Sequence, residues 1–157
     1  MEGLWFKECR EGRRFIIKIA PGGSLVEGLV RFAGEAQVHH GVISSAVGSV
    51  KNVRLRGIKT GAKLPITPPR VNVVELEGPL ELLALEGNIF PGEECAIDCH
   101  LHIMAARSTG EVVGGHLYDA EVFASCEIIL DEFVVEGVER HLSKSGGIPT
   151  IFIEEEK

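Results

Sequence analysis

Residues 96–106 read AIDCHLHIMAA, and residues 107–117 continue RSTGEVVGGHL. In an extended strand successive side chains point to opposite faces. The first stretch then sorts into Ile97, Cys99, Leu101 and Ile103, directed towards a core, and Asp98, His100, His102 and Met104, directed away from it. The turn signal around Ser108 to Gly110 lets the next strand return antiparallel beside the first. That return brings His116, behind Gly114 and Gly115, towards His100 and His102. Sheet is the expected framework, with three imidazoles on one of its faces.

Two histidines at i and i+2 stand roughly 6.5–7 Å apart along a strand, and both can reach an ion held about 2.0–2.1 Å from each nitrogen. Three neutral imidazoles with a fourth position left open suit zinc, or less specifically another divalent transition metal, with water or substrate completing the shell. His100, His102 and His116 are the candidate ligands. Asp98 or a nearby glutamate would sit behind them and hold an imidazole tautomer. The competing account is structural: a His-x-His pair can be hydrogen-bonded at a subunit contact, and paired glycines can serve close packing. A register slip of one residue would also turn His116 away.

Working upstream, LWFKECREGRRFIIKIA reads as two strand-like runs joined by a turn at Glu11-Gly12. PGGSLVEGLVRFAGEAQV places Ser24 and Glu27 at capping-box spacing, with Leu25, Leu29, Phe32, Ala33 and Ala36 on one helical face. VISSAVGSVKNVRLRG reads as a long bent strand with a bulge or close approach at Gly48. IKTGAKLPITPPR is a loop, and VNVVELE and LELLALEGNI return to extended patterning. Downstream, EVVGGHLYD and ASCEIILDEF read as two further strands. One helix against many strands, without regular alternation, predicts an α+β fold that is mainly antiparallel sheet with its main helix near the N-terminus.

The 157 residues fit a single domain spanning 1–157, with a core over about 13–133 and a C-terminal extension over 134–157. A 45% apolar composition leaves apolar surface for subunit contacts, so an oligomer is expected. The formal charge of −7, from 23 acidic and 16 basic side chains, disfavours phosphate backbones. Acids gather at Glu93-Glu94 and in the EEEK tail, while the basic residues are scattered, as at Arg13-Arg14 and at Arg54 with Arg56. Cys9, Cys95, Cys99 and Cys126 form no Cys-x-x-Cys pair, which predicts reduced thiols and a cytoplasmic setting. No signal-peptide pattern and no apolar run of membrane-span length is present, so no membrane association is expected.

Other candidates are weaker. The glycines at 110, 114 and 115 lack phosphate-loop spacing, and Gly48-Ser49 is not a nucleophile elbow. Cys99 and His100 are neighbours on a strand and therefore face opposite ways, against a Cys-His nucleophile pair. His39-His40 falls at the expected helix end, where capping outranks ligation, and His141 lies in a polar, solvated tail.

VGSVKNVRLRG, ELEGPLELLALEGNI, CHLHIMAARSTGEVVGGHL and AEVFASCEIIL, in that order, resemble the PPC (plants and prokaryotes conserved) domain family, of the stand-alone prokaryotic type, over roughly residues 13–133. The resemblance implies a compact α+β subunit with an antiparallel sheet, assembling as a homotrimer. Plant members join the domain to AT-hook DNA-binding segments, and this chain has no Arg-Gly-Arg-Pro hook. A DNA-binding label would thus be inherited from the family, and nucleic acid is not an expected partner of this chain alone. Plant domains carry small or polar residues where this chain has His100, His102 and His116, so the fold does not require the imidazoles. Metal is associated with prokaryotic members, and that property carries over to these three positions only.

Three functions follow. The first is a trimeric, cytoplasmic PPC-domain protein binding a divalent metal, zinc first, through the three histidines. The second is a metal-dependent enzyme of hydrolase or lyase type, with Glu121 or Glu127 as general base. The third is a DNA-associated or protein-interaction trimer in which the histidines only pack.

Overall fold

The computed structural model describes residues 3–153, so the acidic EEEK tail at 154–157 lies outside the described residues. The elements, in chain order, are β1 (Arg10–Ile19), α1 (Leu25–Ala36), β2 (Gly41–Ile58), β3 (Val71–Leu76), β4 (Leu80–Pro91), β5 (Ile97–Ala106), β6 (Val112–Val134), β7 (Val138–Leu142) and β8 (Pro149–Ile153). The first six strands form an antiparallel sheet in the order β1-β6-β5-β4-β2-β3, while β7 and β8 form a separate hairpin. An additional β2–β6 pairing folds the sheet back on itself, so that β2, β4, β5 and β6 close a circuit. The mainly antiparallel α+β architecture agrees with the sequence patterning.

The helix starts where Ser24 predicts it. The Ser24 hydroxyl accepts from the Glu27 amide at 3.0 Å and donates to Asp119 Oδ1 at 2.8 Å, which ties the cap to β6. Leu25, Leu29 and Ala33 are buried on one face of α1. They meet Leu101 and Ile103 of β5 and Leu117, Val122, Ile128 and Leu130 of β6 in one apolar cluster. The alternation along β5 thus holds: Leu101, Ile103 and Ala105 are buried while His102 and Met104 are exposed.

Three sequence expectations are corrected. Glu11-Gly12 is not a hairpin turn: Arg10–Ile19 is a single strand on β6, and the register shifts between Glu11 and Arg14. A Cβ on Gly12 would meet Glu132 at 2.8 Å, so this glycine serves a bulge in the ladder rather than a chain reversal. EVVGGHLYD and ASCEIILDEF are one continuous strand, β6, because β5, β2 and β1 pair with successive parts of it. The expected bulge near Gly48 is present as a register shift between Gly48 and Val50. The C-terminal extension is likewise not a polar tail within the described residues, since Val138 and Arg140 of β7 are buried.

Candidate metal centre

β5 and β6 are joined by the turn expected at Ser108 to Gly110, closed by the Gly110 amide donating to the Arg107 carbonyl at 2.8 Å. The return sets His102 directly opposite His116. Glycine is required on both sides of β5 for the strands to approach. A Cβ on Gly114 would fall onto the Ile103 carbonyl oxygen, and one on Gly87 of β4 onto the His100 carbonyl oxygen, each far inside contact distance. The Gly114-Gly115 pair is thus part of what brings the third histidine in.

The three rings converge. Their centroids lie 5.2 Å (His100–His102), 4.9 Å (His100–His116) and 5.3 Å (His102–His116) apart. One nitrogen of each lies within 4.8 Å of the others. His100 Nε2 and His102 Nε2 stand 3.2 Å apart, so one carries a proton and donates to the other. Burial lowers the His116 pKa to about 4, with the charges of His100, His102 and Arg56 acting in the same direction. The His100 pKa is also lowered, first by burial and then by Arg140 and His102. These two rings are held in the neutral form that ligation needs.

The donor set therefore fits a divalent transition metal: three imidazole nitrogens, with His102 exposed to solvent. Asp98 does not take the place expected behind an imidazole. It faces Arg140 of β7, whose Nε lies 3.0 Å from Asp98 Oδ2. That separation is an ion pair without hydrogen-bond alignment, and Nε keeps no hydrogen-bond partner. Arg140 Nη2 donates to Asn88 Oδ1 at 2.5 Å, and Nη1 lies 3.4 Å from His100 Nδ1. Sequence reasoning missed Arg140 and Asn88. Nothing local marks either, because their meeting depends on β7 docking against β4.

The remaining candidates lie elsewhere. Glu121 is held by Lys51 at 3.0 Å and Asn52 at 2.9 Å, roughly 17 Å along an extended strand from His116. Glu127, farther along β6, pairs in register with Lys18 and Val47. Neither is a cross-strand neighbour of the three histidines. His40 does not cap α1, which ends at Ala36 with Gln37 donating back to Ala33 and Gly34. His40 instead holds the C-terminal hairpin, its Nε2 3.0 Å from the Val138 carbonyl and its ring against Phe90 and Phe133. His141 belongs to β7, 3.0 Å from Glu139 and edge-on to Phe152. The Cys99 thiol is pushed up to about 12, first by burial and then by Asp98, which makes it a poor nucleophile. Among the described residues, no helix is long and apolar enough to cross a membrane.

Comparison with known proteins agrees with this fold. The sequence profile of the Plants and Prokaryotes Conserved (PCC) domain matches residues 6–134. A metal-containing protein from Archaeoglobus fulgidus is similar in structure, with a TM-score of 0.82 and 29% identity, over 95% of this chain and 99% of that one. A plant- and prokaryote-conserved protein from Pyrococcus horikoshii has a TM-score of 0.77 and 26% identity, over 90% of this chain and 92% of that one. Among curated relatives, the bifunctional protein GlmU of Synechococcus sp. (strain JA-3-3Ab) is 28% identical over 143 residues, which is 90% of this chain. Those residues are 21% of GlmU, so the chain spans about a fifth of that relative. A fold with this strand order, carrying these motifs across most of its length, places the chain in the Plants and Prokaryotes Conserved domain family.

Proposed function

We propose that the protein binds one divalent metal, zinc first, through His100, His102 and His116. The observation that carries this reading is the approach of three imidazole nitrogens to within 4.8 Å of one another. A family neighbour described as metal-containing, 29% identical, supports it. When bound, such an ion supplies Lewis-acid polarisation and an acidified water. The protein's part is to orient three rings and to hold His100 and His116 in the neutral form.

The binding unit is a homotrimer built from a single domain and working in the cytoplasm. Large apolar side chains left in solvent, including Ile16 at 84% exposure, support assembly. The free thiols of Cys99 and Cys126 support a reducing compartment. Arg13, Arg14, Arg31, Arg54 and Arg107 each pair with a carboxylate, which supports a chain that does not take nucleic acid as partner. Light scattering tests the trimer, and a low-salt gel shift tests the last point.

Elemental analysis of untagged protein tests the metal: about one equivalent per chain in the wild type and a marked loss in His102→Ala. Equally little metal in both rejects the reading.

A second reading, a metal-dependent hydrolase or lyase, is favoured by one row of side chains. Glu86 lies opposite His102 in register, and the Leu55–Leu117 pairing carries Arg56 towards His116 on the same outer face. Glu86 would be the base in place of Glu121 or Glu127. Zinc-loaded protein active on a hydrolase or lyase panel, with turnover lost but metal retained in Glu86→Gln, would establish it.

A further inference from the structure

The C-terminal hairpin begins at Val138, beyond the residues matched by the family profile. It nonetheless sets a cation that is only 4% exposed, Arg140, against one of the three candidate ligands. The guanidinium lies over Phe90, 5.5 Å from the ring centroid, bonds Asn88 and faces Asp98. Its Nη1 points to His100 Nδ1 at 3.4 Å.

A guanidinium offers donors only and keeps its charge. The facing Nδ1 must therefore present a lone pair, and a neutral His100 then carries its proton on Nε2. That proton is directed to His102 Nε2, 3.2 Å away. Arg140, His100 and His102 form a donor chain that engages both nitrogens of His100.

A metal can take His100 through either nitrogen, and both routes break this chain. Ligation through Nε2 leaves the ring proton on Nδ1, opposing one N–H to another. Ligation through Nδ1 puts the ion where the arginine donates. Each route also sets a second cation beside a guanidinium shielded from solvent, whose ion-pair partner among the described residues is Asp98.

Resting on the metal reading above, we propose that docking of Arg140 and metal occupancy of the three-histidine site are mutually antagonistic, so that the C-terminal hairpin restrains metal loading. Linkage makes the effect reciprocal: metal loosens the hairpin as much as the hairpin weakens metal binding. The hairpin's ties to the rest of the fold converge on this arginine. β7 packs chiefly on β4 and the Glu93–Cys95 turn, and Arg140 itself reaches Asp98 and His100 of β5. Further anchors are His40 on the Val138 carbonyl and the Ile66 amide donating to the Gly146 carbonyl.

The test uses the full chain, stripped with a chelator and titrated with Zn²⁺ against a chromogenic competitor, alongside hydrogen exchange of the amides of Val138–Leu142. Coupling between sites is typically roughly 5- to 150-fold. Arg140→Met should therefore bind Zn²⁺ about tenfold more tightly, and Zn²⁺ should speed exchange in Val138–Leu142 of the wild type. A wild type that binds Zn²⁺ with that exchange unchanged or slowed overturns the proposal, as does an unchanged affinity in a folded variant. Should Arg140→Met fail to fold, the wild-type exchange measurement decides alone. A folded wild type and variant that both ignore Zn²⁺ sink the metal reading itself, a pattern distinct from zinc bound with the hairpin unmoved.

Discussion

His102 and His116 face each other as a direct cross-strand pair, their rings 5.3 Å apart and nearly perpendicular at 86°. The pair exists because Gly114 allows β6 to lie against the Ile103 carbonyl. Gly114→Ala would drive a methyl group into that oxygen, which nothing flexible can relieve. The substitution should lower stability by roughly 1–3 kcal/mol and weaken metal binding together, read by urea denaturation and Zn²⁺ titration. Gly110→Ala meets no neighbouring atom, but the positive φ of 85° at that turn strains any side chain, so it should cost some stability through the backbone while perturbing the metal site less than Gly114→Ala does.

The helix cap gives a second expectation. Ser24 serves both the Glu27 amide and Asp119 of β6, so Ser24→Ala removes a cap and a tie to the sheet. A loss of about 1 kcal/mol is expected from chemical denaturation. Metal binding should be unchanged, because α1 supplies no ligand.

The pH dependence of the metal-free protein follows from His116. Its folded pKa of about 4 lies below the ordinary imidazole value. Between the two, the unfolded chain takes up a proton that the folded chain refuses, so stability falls as pH drops from about 6.5 towards about 4 and this contribution levels off below. His100 acts in the same direction. Thermal melts should show the slope, and His116→Asn should flatten it.

The sheet, its antiparallel return and the helix were legible because they rest on local signals: alternation along 96–106, a turn at Ser108 to Gly110, and Ser24 at a cap. The convergence of three histidines followed from one register, and the structure has that register. What could not be read is tertiary. Gly12 looks the same in a bulge as in a turn, and the division of β6 vanished because three different partners cover one strand. Arg140 gave no signal, since a lone arginine in a polar segment becomes buried only when β7 reaches β4 and finds Asn88 and Asp98 waiting. The surroundings of Glu121 were hidden for the same reason, its partners Lys51 and Asn52 coming from β2.

Two thiols should be inert. Burial pushes Cys126 up to about 11 and Cys99 up to about 12. Alkylation of native protein near neutral pH, mapped by mass spectrometry, should modify exposed Cys9 well before either. Rapid labelling of Cys126 would mean that the sheet opens around it.

The most direct measurement is anomalous diffraction at a metal absorption edge on crystals grown with Zn²⁺. A single peak is expected among His100, His102 and His116, about 2.0–2.1 Å from one nitrogen of each ring. Full data without such a peak, with His100 and His102 still bonded to each other through Nε2, would contradict the metal centre.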